Sequence, residues 1–367
     1  MTRDVWRINR AGSLARLRKQ SETLPPPAAG EARVRVKTVG LNFADIFACL
    51  GLYSATPKGP FVPGLEFAGV IEETVPPARG HEASAHAGLR AGDAVAGLIR
   101  FGAYATVLNA PAHLLSRIPP GWTMAQAAAF PAQGLTAWYG LVEQARVTNG
   151  ELVLLHSAAG GVGLCALAIL RSIGARIVAT VGREEKRQFL VKRYGFSPEL
   201  VIVRDRRRFG DQLDRALHAV TSDGFDVVFD AVAGPFLEPA FARLRPRGRL
   251  VVYGAADFMP GGRRAVDPRL LVRYLRRHRI DPLRLMTLNR SVIGYNLIWL
   301  WDRADRLPEA YAALRSLCPE PPLVGRQFPF DQAPAAMRFL QSGRSIGKVV
   351  LDTSLTRVAS PGDEAPA

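Results

Sequence analysis

The sequence predicts an α/β protein in which a doubly wound parallel sheet is joined to a β-rich domain. From about Thr123, apolar runs alternate with helical patterns, in the order ELVLLH, GLCALAILRSIG, ARIVATV, EEKRQFLVKRYG, ELVIV, DQLDRALHAV, FDVVFDAV, PFLEPAFARL and GRLVVYG. This alternation is typical of βαβ units, and Val/Ile/Leu-rich strands are typical of a sheet covered on both faces. Residues 31–130 instead carry VRVKTVGLN, FAGVIEETV and GAYATVL between turns and glycines, which predicts the β-rich domain.

The size and composition fit a two-domain protein. The chain has 367 residues, of which 48% are hydrophobic. Its apolar runs stay short of the roughly 18 residues that span a bilayer, and the first residues lack the apolar core of a signal peptide. The three cysteines, Cys49, Cys165 and Cys318, form no CxxC pair. We therefore expect reduced thiols and a cytoplasmic location.

The chain is strongly basic, with a formal net charge of +16. Only six of its 48 basic residues are lysines, and the rest are arginines. A basic protein attracts anions, which include phosphorylated cofactors, acidic lipids and nucleic acids. The isoelectric point is the one feature that favours nucleic acid, so we expect no nucleic-acid partner.

Several segments have a predicted structure of their own. The aperiodic stretch Pro76–Ala91 predicts a surface insertion, and the polar tail Ser354–Ala367 predicts disorder. SVIGYNLIWL, residues Ser291–Leu300, predicts one more strand. Asp305–Ser316 has helical spacing, and Ser345–Leu351 predicts a closing strand.

The segment Leu152–Gly163, LVLLHSAAGGVG, is the most specific chemical signal in the chain. A strand pattern ends in a glycine cluster, and a helical pattern follows. Backbone N–H groups at such a turn, together with the positive end of the helix dipole, form a site for a pyrophosphate. Gly160, Gly161 and Gly163 would let the backbone approach this group. The alternative is a tight structural turn without a ligand.

The end of the next strand predicts which dinucleotide binds. NAD sites place an acidic residue about 20 residues after the glycines, to bind the ribose hydroxyls. Here the strand ends in Gly182 and Arg183, and Lys186 follows, so basic groups are available for a phosphate. Glu184 and Glu185 fall at a helix start, where acids also interact with the dipole. We predict NADP(H); the alternative is that the basic residues are solvated helix side chains.

Several motifs resemble the medium-chain dehydrogenase/reductase superfamily, in particular its zinc-independent, quinone oxidoreductase-like branch. The motifs follow the family order over roughly residues 30–352. They are GLNFADIFACLGLY, VPGLEFAGVI, AGDAVAG, AAAFPAQGLTAWYGL, HSAAGGVG, VFDAVAG, GRLVVYGAA and IGKVVL. GLNFAD and the long segment before RSVIGYNL are most similar to the vesicle amine transport protein homologues, a group also described as membrane-associated or lipid-handling.

The resemblance implies a domain organisation. Residues 1–126 and 303–354 would form a GroES-like catalytic domain, residues 127–302 an inserted Rossmann domain, and residues 355–367 a disordered tail. The active site would lie in the cleft between the domains. The resemblance also implies a homodimer joined by edge strands, for which 291–300 is the candidate.

The sequence departs from the zinc alcohol dehydrogenases at the metal positions. Those enzymes have a cysteine near the position of Asn42 and a histidine before the glutamate, whereas this chain has Leu65 before Glu66. Zinc requires Cys, His or carboxylate ligands in a tetrahedral array, so we predict no metal. His81 and His86 are five residues apart, off a common helical face, and we interpret them as surface-loop residues.

The motif match assigns Asn42, Asp45 and Tyr53 to the catalytic end of the cleft. Reduction of a quinone or an α,β-unsaturated carbonyl places negative charge on an oxygen, which hydrogen-bond donors stabilise. Tyr53 would donate to this oxygen, Asn42 would hold the substrate carbonyl or the cofactor carboxamide, and Asp45 would orient its neighbours. The alternatives are a turn role for Asn42, a helix cap for Asp45 and packing for Tyr53.

The remaining predicted site residues bind the cofactor. Thr136 resembles the family's nicotinamide-facing turn, two small-residue turns follow strand ends, and Lys348 would reach the cleft from the closing motif; its alternative is an ordinary strand lysine. The predicted cofactor-binding residues are Thr136, Ser157, Ala159, Gly160, Gly161, Val162, Gly163, Gly182, Arg183, Lys186, Ala231, Val232, Gly254, Ala255 and Lys348.

A basic segment at residues 261–284 supports a second hypothesis. Arg273, Arg276 and Arg277 alternate with apolar residues at near-helical spacing. A basic amphipathic helix binds anionic membranes, whereas the simpler interpretation is a solvated helix near the dimer edge. The sequence therefore predicts an NADPH-dependent oxidoreductase acting on a quinone or enone, with an NADP-binding, peripheral membrane or lipid-handling protein as the alternative. It leaves the substrate open.

Overall fold

The chain folds around two β-sheets, and this computed structural model describes residues 1–77, 88–262, 268–300 and 306–355. The strands are β1 Thr2–Ile8, β2 Leu17–Thr23, β3 Glu31–Gly40, β4 Glu66–Thr74, β5 Ala94–Leu98, β6 Val107–Pro111, β7 Leu115–Arg117, β8 Leu152–Leu155, β9 Arg176–Val181, β10 Val201–Val203, β11 Phe225–Asp230, β12 Leu244–Val252, β13 Ser291–Gly294, β14 Val324–Pro329 and β15 Lys348–Asp352. The helices are α1 Phe43–Cys49, α2 Met124–Ala128, α3 Pro131–Trp138, α4 Gly161–Ile173, α5 Glu184–Tyr194, α6 Phe209–Ala219, α7 Leu237–Ala242, α8 Pro268–Leu275, α9 Pro282–Leu288, α10 Leu307–Leu317 and α11 Ala333–Gln341.

The first sheet is parallel and doubly wound, which confirms the predicted fold class. Its strand order is β10-β9-β8-β11-β12-β13, so the chain begins in the middle and winds outward in both directions. Apolar side chains of α3, α4 and α10 pack on one face of the sheet. Those of α6 and α7 pack on the other face. The carboxyl ends of β8 and β11 adjoin at the centre, where such sheets bind their ligands.

The second sheet contains strands from both ends of the chain, as the resemblance implies. Its order is β14-β15-β3-β4-β5-β7, and β6 also pairs with β3. Leu351 of β15 lies opposite Val39 of β3 in an antiparallel register. The β1–β2 hairpin is tied to the same region, because Trp6 Nε1 donates a hydrogen bond to Phe330 O at 2.8 Å. The domain boundaries after residues 126 and 302 remain predictions.

The segment 291–300 corrects one expectation, since only its first part is a strand. β13 pairs with β12 and ends at Gly294. The chain then leaves the sheet and makes a short 3₁₀ turn at Leu297–Trp299, because Tyr295 and Ile298 pack into the core beside α3 instead of extending the strand. β13 is the last strand of the described part of this sheet. The dimer contact proposed for it stays a prediction.

The basic segment 261–284 also differs from the single amphipathic helix that its spacing suggested. Two helices are present, and α8 ends at Leu275, before Arg276 and Arg277. The second helix starts anew because Asp281 caps α9 and Pro282 occupies its first turn. Residues 263–267 lie outside the described residues.

Two further predicted segments are displaced by a few residues, as α10 ends at Leu317 and β15 begins at Lys348. The predicted insertion falls partly on residues 78–87, which include His81 and His86 and lie outside the described residues. The predicted tail lies outside them from residue 356. Within the described ranges, the helices are all too short or too polar to cross a membrane.

Candidate active site and cofactor cleft

The glycine turn after β8 is where the sequence predicted it. Gly160 is the N-cap of α4, and its N–H donates to Ser157 O at 2.9 Å. A β-carbon on Gly163 would overlap Ser157 O, so the first turn of α4 can pack this closely on the loop only without a side chain. The exposed N–H groups at the start of α4 form a cradle for an anion.

Gln133 of α3 lies beside the same cradle and was missed by sequence reasoning. Its side chain is only 3% exposed and lines the cleft. Its Oε1 accepts no hydrogen bond, although buried polar atoms are usually paired. A β-carbon on Gly161 would overlap this oxygen. Gln133 therefore offers an unused acceptor to a ligand beside the helix start.

One cavity of about 950 Å³ lies between the two sheets and collects most of the predicted site. Asn42 and Tyr53 line it. Asp45 and Val232 do not, because Asp45 is fully buried and Val232, 4% exposed, directs its N–H to Asp230 Oδ1 at 2.6 Å. The predicted cofactor-binding residues that line the cavity are Thr136, Ser157, Ala159, Gly160, Gly161, Val162, Gly163, Gly182, Arg183, Lys186, Ala231, Gly254, Ala255 and Lys348.

A group of cations surrounds the end of β9. Arg183 is exposed at the N-cap of α5, and Lys186 follows one turn later. Burial, and then the charges of Arg204 and Arg183, lower the pKa of Lys186 to about 8. Arg204, at the end of β10, was missed because its position depends on β10 lying beside β9. Its Nη1 donates to Thr180 Oγ1 at 2.9 Å.

Arg204 is held in place beneath this cation group. Its guanidinium lies 5.4 Å from the centre of the Phe236 ring, a cation–π distance. Burial lowers the pKa of Arg204 to about 10, so the group keeps its charge at neutral pH. Three positive charges grouped in this way favour a phosphate over ribose hydroxyls.

At the other end of the cavity, Asn42 is fixed by a buried ion pair. Lys348 Nζ donates to Asn42 Oδ1 at 2.7 Å, and Asn42 Nδ2 donates to Glu66 Oε1 at 2.9 Å. Lys348 and Glu66 also contact each other directly, and they are 4% and 0% exposed. Glu66 Oε2 accepts from the N–H of Ala132, at the start of α3. These contacts set the orientation of the Asn42 amide and leave one of its N–H groups unused.

Asp45 lies beneath the cavity and caps helix α1, which is the alternative role predicted for it from the sequence. Its Oδ2 accepts the N–H of Asn42 at 2.8 Å, which makes the two residues a capping box at the start of α1. Tyr104 OH donates to the same oxygen at 3.3 Å. Burial raises the pKa of Asp45 to about 7. Asp45 therefore acts on the cavity through Asn42.

Tyr53 contacts a residue from the C-terminal half of the chain. Its hydroxyl donates to Asn296 Oδ1 at 2.8 Å, and burial raises its pKa to about 12, so it stays protonated. Asn296 lines the cavity and was not predicted, because it lies in the segment expected to be a strand. Thr136 is positioned by two bonds: its hydroxyl donates to Ala132 O at 2.6 Å, and its carbonyl accepts from Tyr295 OH at 2.5 Å.

Comparisons with known proteins agree with this architecture. Two family models match the chain, "Alcohol dehydrogenase GroES-like domain" over residues 28–120 and "Zinc-binding dehydrogenase" over residues 161–297. A Danio rerio protein described as a synaptic vesicle membrane protein VAT-1 homolog is 30% identical over 332 residues, which cover 90% of this chain. The match spans 65% of that relative's own length.

Two solved structures are similar over nearly the whole chain. A mycobacterial protein in complex with NADPH is 26% identical, with a TM-score of 0.79, and the match covers 95% of this chain and 99% of that one. The quinone oxidoreductase of Thermus thermophilus, also solved with NADPH, is 30% identical, with a TM-score of 0.68 and the same coverage.

These matches and the site define the family. The chain belongs to the medium-chain dehydrogenase/reductase superfamily, in its zinc-independent, quinone oxidoreductase-like branch close to the VAT-1 homologues. Lys348, which cannot ligate a metal as an ammonium, contacts both Asn42 and Glu66. Among the residues described, no three His, Cys, Asp or Glu side chains lie close enough to bind a metal ion.

Proposed function

We propose that this protein is an NADPH-dependent oxidoreductase that reduces a quinone or an α,β-unsaturated carbonyl. One observation carries the proposal: the anion cradle of α4 and the amide of Asn42 open into the same cavity. NADPH, when bound, supplies a hydride, and with one proton from solvent this gives the saturated carbonyl or, from a quinone, the hydroquinone. The structural relatives solved with NADPH support this cofactor.

The chain's own residues then have separate tasks. The N–H groups of Gly161, Val162 and Gly163 would bind the pyrophosphate, and Arg183, Lys186 and Arg204 would bind the ribose phosphate. The unused N–H of Asn42 would donate to the substrate oxygen as negative charge develops there. Since Lys348 sits behind the Asn42 carbonyl oxygen, its positive charge would polarise the amide and strengthen this donor.

Cofactor binding provides the first test. Titration with NADPH, followed by fluorescence, should give saturable binding that Arg183→Ala weakens. Arg193→Ala is a matched control, because Arg193 is exposed at the opposite end of the same helix α5. If the wild-type protein binds no NADPH, the proposal is wrong. A screen of NADPH consumption over quinones, enones and enals then identifies the acceptor class.

A second candidate function rests on the surface of α8 and α9. Ten large apolar side chains are exposed in the described residues, and six of them belong to these two short helices. Arg276, Arg277 and Arg279 are exposed beside them. Apolar side chains flanked by arginines suit the interface of an anionic membrane. The six side chains are Leu271, Val272, Tyr274, Leu275, Leu283 and Met286.

Vesicle sedimentation separates this candidate from an enzyme that does not bind membranes. We would expect binding to phosphatidylserine vesicles that falls with salt and is lost in the double variant Arg276→Glu, Arg277→Glu. A charge change of equal size at Arg207 and Arg208, on another exposed loop, controls for net charge. Equal binding by both double variants would exclude the surface of α8 and α9 as the membrane contact.

A further inference from the structure

Two exposed apolar side chains flank the opening of the cavity. Apart from the six on α8 and α9 and those at Met1 and Leu355, Leu52 and Trp299 are the large apolar side chains exposed in the described residues, at 48% and 53%. Leu52 lines the cavity, and Trp299 follows Leu297 and Ile298, which also line it. The two side chains come from different halves of the chain, and the hydrogen bond from Trp299 to Ser54, which lines the cavity, places Trp299 beside the same cavity as Leu52.

The exposed Trp299 side chain is held in place. Its Nε1 donates to Ser54 Oγ at 3.1 Å, and the Arg100 guanidinium lies 5.6 Å from the centre of its ring. The ring therefore cannot turn inward without breaking a hydrogen bond and a cation–π contact. Tyr53, the residue before Ser54, donates a hydrogen bond to Asn296. The segments 52–54 and 296–299 are thus joined twice beside the opening.

Further apolar side chains line the cavity near Leu52 and Trp299 in sequence. They are Phe47, Leu297 and Ile298, and the polar side chains of Asn42 and Asn296 line the same cavity. A short polar substrate would leave Leu52 and Trp299 in water. An alkyl chain that passed between them would remove apolar surface from water on both sides.

We infer that the substrate carries an unbranched apolar chain, which leaves the cavity between Leu52 and Trp299 while the conjugated carbonyl lies near Asn42. This inference rests on the proposed function and specifies its substrate class: alkyl-substituted enones or quinones rather than small polar carbonyls. Full burial of a methylene favours binding by about fourfold. Because the chain would remain partly in water at the opening, we expect about twofold per methylene.

A homologous series tests the inference. Vinyl ketones with alkyl chains from ethyl to octyl, and benzoquinones with the same chains, would be compared by kcat/KM with NADPH. The wild-type value should rise by about twofold per methylene until the chain passes the opening. Trp299→Ala and Leu52→Ser should flatten the rise, whereas Trp299→Phe should retain it.

The outcomes separate the inference from the proposed function. Leu283→Ser is a control for surface polarity, since Leu283 is exposed on α9 and away from the cavity lining. Turnover of all chain lengths at the same kcat/KM would overturn the inference and leave the reductase standing. A rise that persists in both Trp299→Ala and Leu52→Ser would also overturn it. Absence of turnover across both series, despite NADPH binding, would reject the inference together with the proposed acceptor class.

Discussion

Lys348 and Asn42 are 306 residues apart in sequence, and Lys348 Nζ donates to Asn42 Oδ1 at 2.7 Å. The contact joins the first residue of β15 to the N-cap of α1. Glu66, at the start of β4, completes the group by accepting from Asn42 Nδ2. The orientation of the amide that faces the cavity is therefore set by charges from two other strands.

Removing the Lys348 ammonium should destabilise the protein strongly. In Lys348→Met, the fully buried Glu66 carboxylate would lose its ion partner, and breaking a buried pair in this way costs about 3–5 kcal/mol of unfolding free energy. Urea denaturation would measure this. The double variant Lys348→Met, Glu66→Gln should recover part of the loss, because no unpaired charge remains. A double variant as unstable as the sum of the singles would contradict this account.

The contact between Gly161 and Gln133 predicts a compensating pair of substitutions. Gly161→Ala should weaken NADPH binding by about tenfold, because the new β-carbon overlaps Gln133 Oε1 and the start of α4 must shift. Adding Gln133→Ala removes the overlap and should restore part of the affinity in a fluorescence titration. Gly261→Ala, where the β-carbon has no neighbour within 4 Å, is the control. Wild-type affinity in Gly161→Ala would refute the prediction.

Lys186 predicts a pH dependence of NADPH binding. Its pKa is lowered to about 8, and a phosphate dianion binds the ammonium form. Affinity should therefore be full below this pKa and fall by about threefold to tenfold as the pH rises one unit above it. NADH, which lacks the phosphate, should show no such decline, and Lys186→Met should abolish it for NADPH. Parallel pH profiles for NADPH and NADH would argue against this role.

His156 predicts a loss of stability in acid. Burial lowers its folded-state pKa from 6.5 to about 4. Between these values the unfolded chain binds a proton that the folded protein does not, so stability falls as the pH drops through this window, by up to about 3 kcal/mol.

The test compares wild type with His156→Asn across the same window by urea denaturation. Asp45 titrates in the opposite sense, because its folded pKa of about 7 lies above the ordinary 3.8. Since Asp45 is present in both proteins, the difference between their slopes isolates His156. The variant should lose less stability in acid than the wild type, and identical slopes would show that His156 titrates normally.

Local patterns explain what could be predicted from the sequence. The alternation of strands and helices and the turn at Gly160–Gly163 depend on neighbours in sequence, so both the fold class and the cofactor turn were accessible. The place of Arg204 in the cation group could not be predicted, because it depends on β10 lying beside β9. Gln133 and Asn296 acquire their positions from contacts between distant segments, which no local pattern records. The prediction of a strand over 291–300 was wrong for residues 295–300. Apolar side chains among them pack against α3 instead, and an apolar run alone does not distinguish this packing from strand pairing.

The pairing of β15 with β3 has a consequence for synthesis of the chain. On the ribosome, β3 to β7 emerge long before β15, and the end of β3 at residues 38–40 lacks its β15 partner until residues 348–352 have left the exit tunnel. The parallel sheet can form before β15 is synthesised, because its strands run from β8 to β13. The order of translation therefore lets the nucleotide-binding half form first, and the last strand to appear both pairs with the end of β3 and brings Lys348 to Asn42.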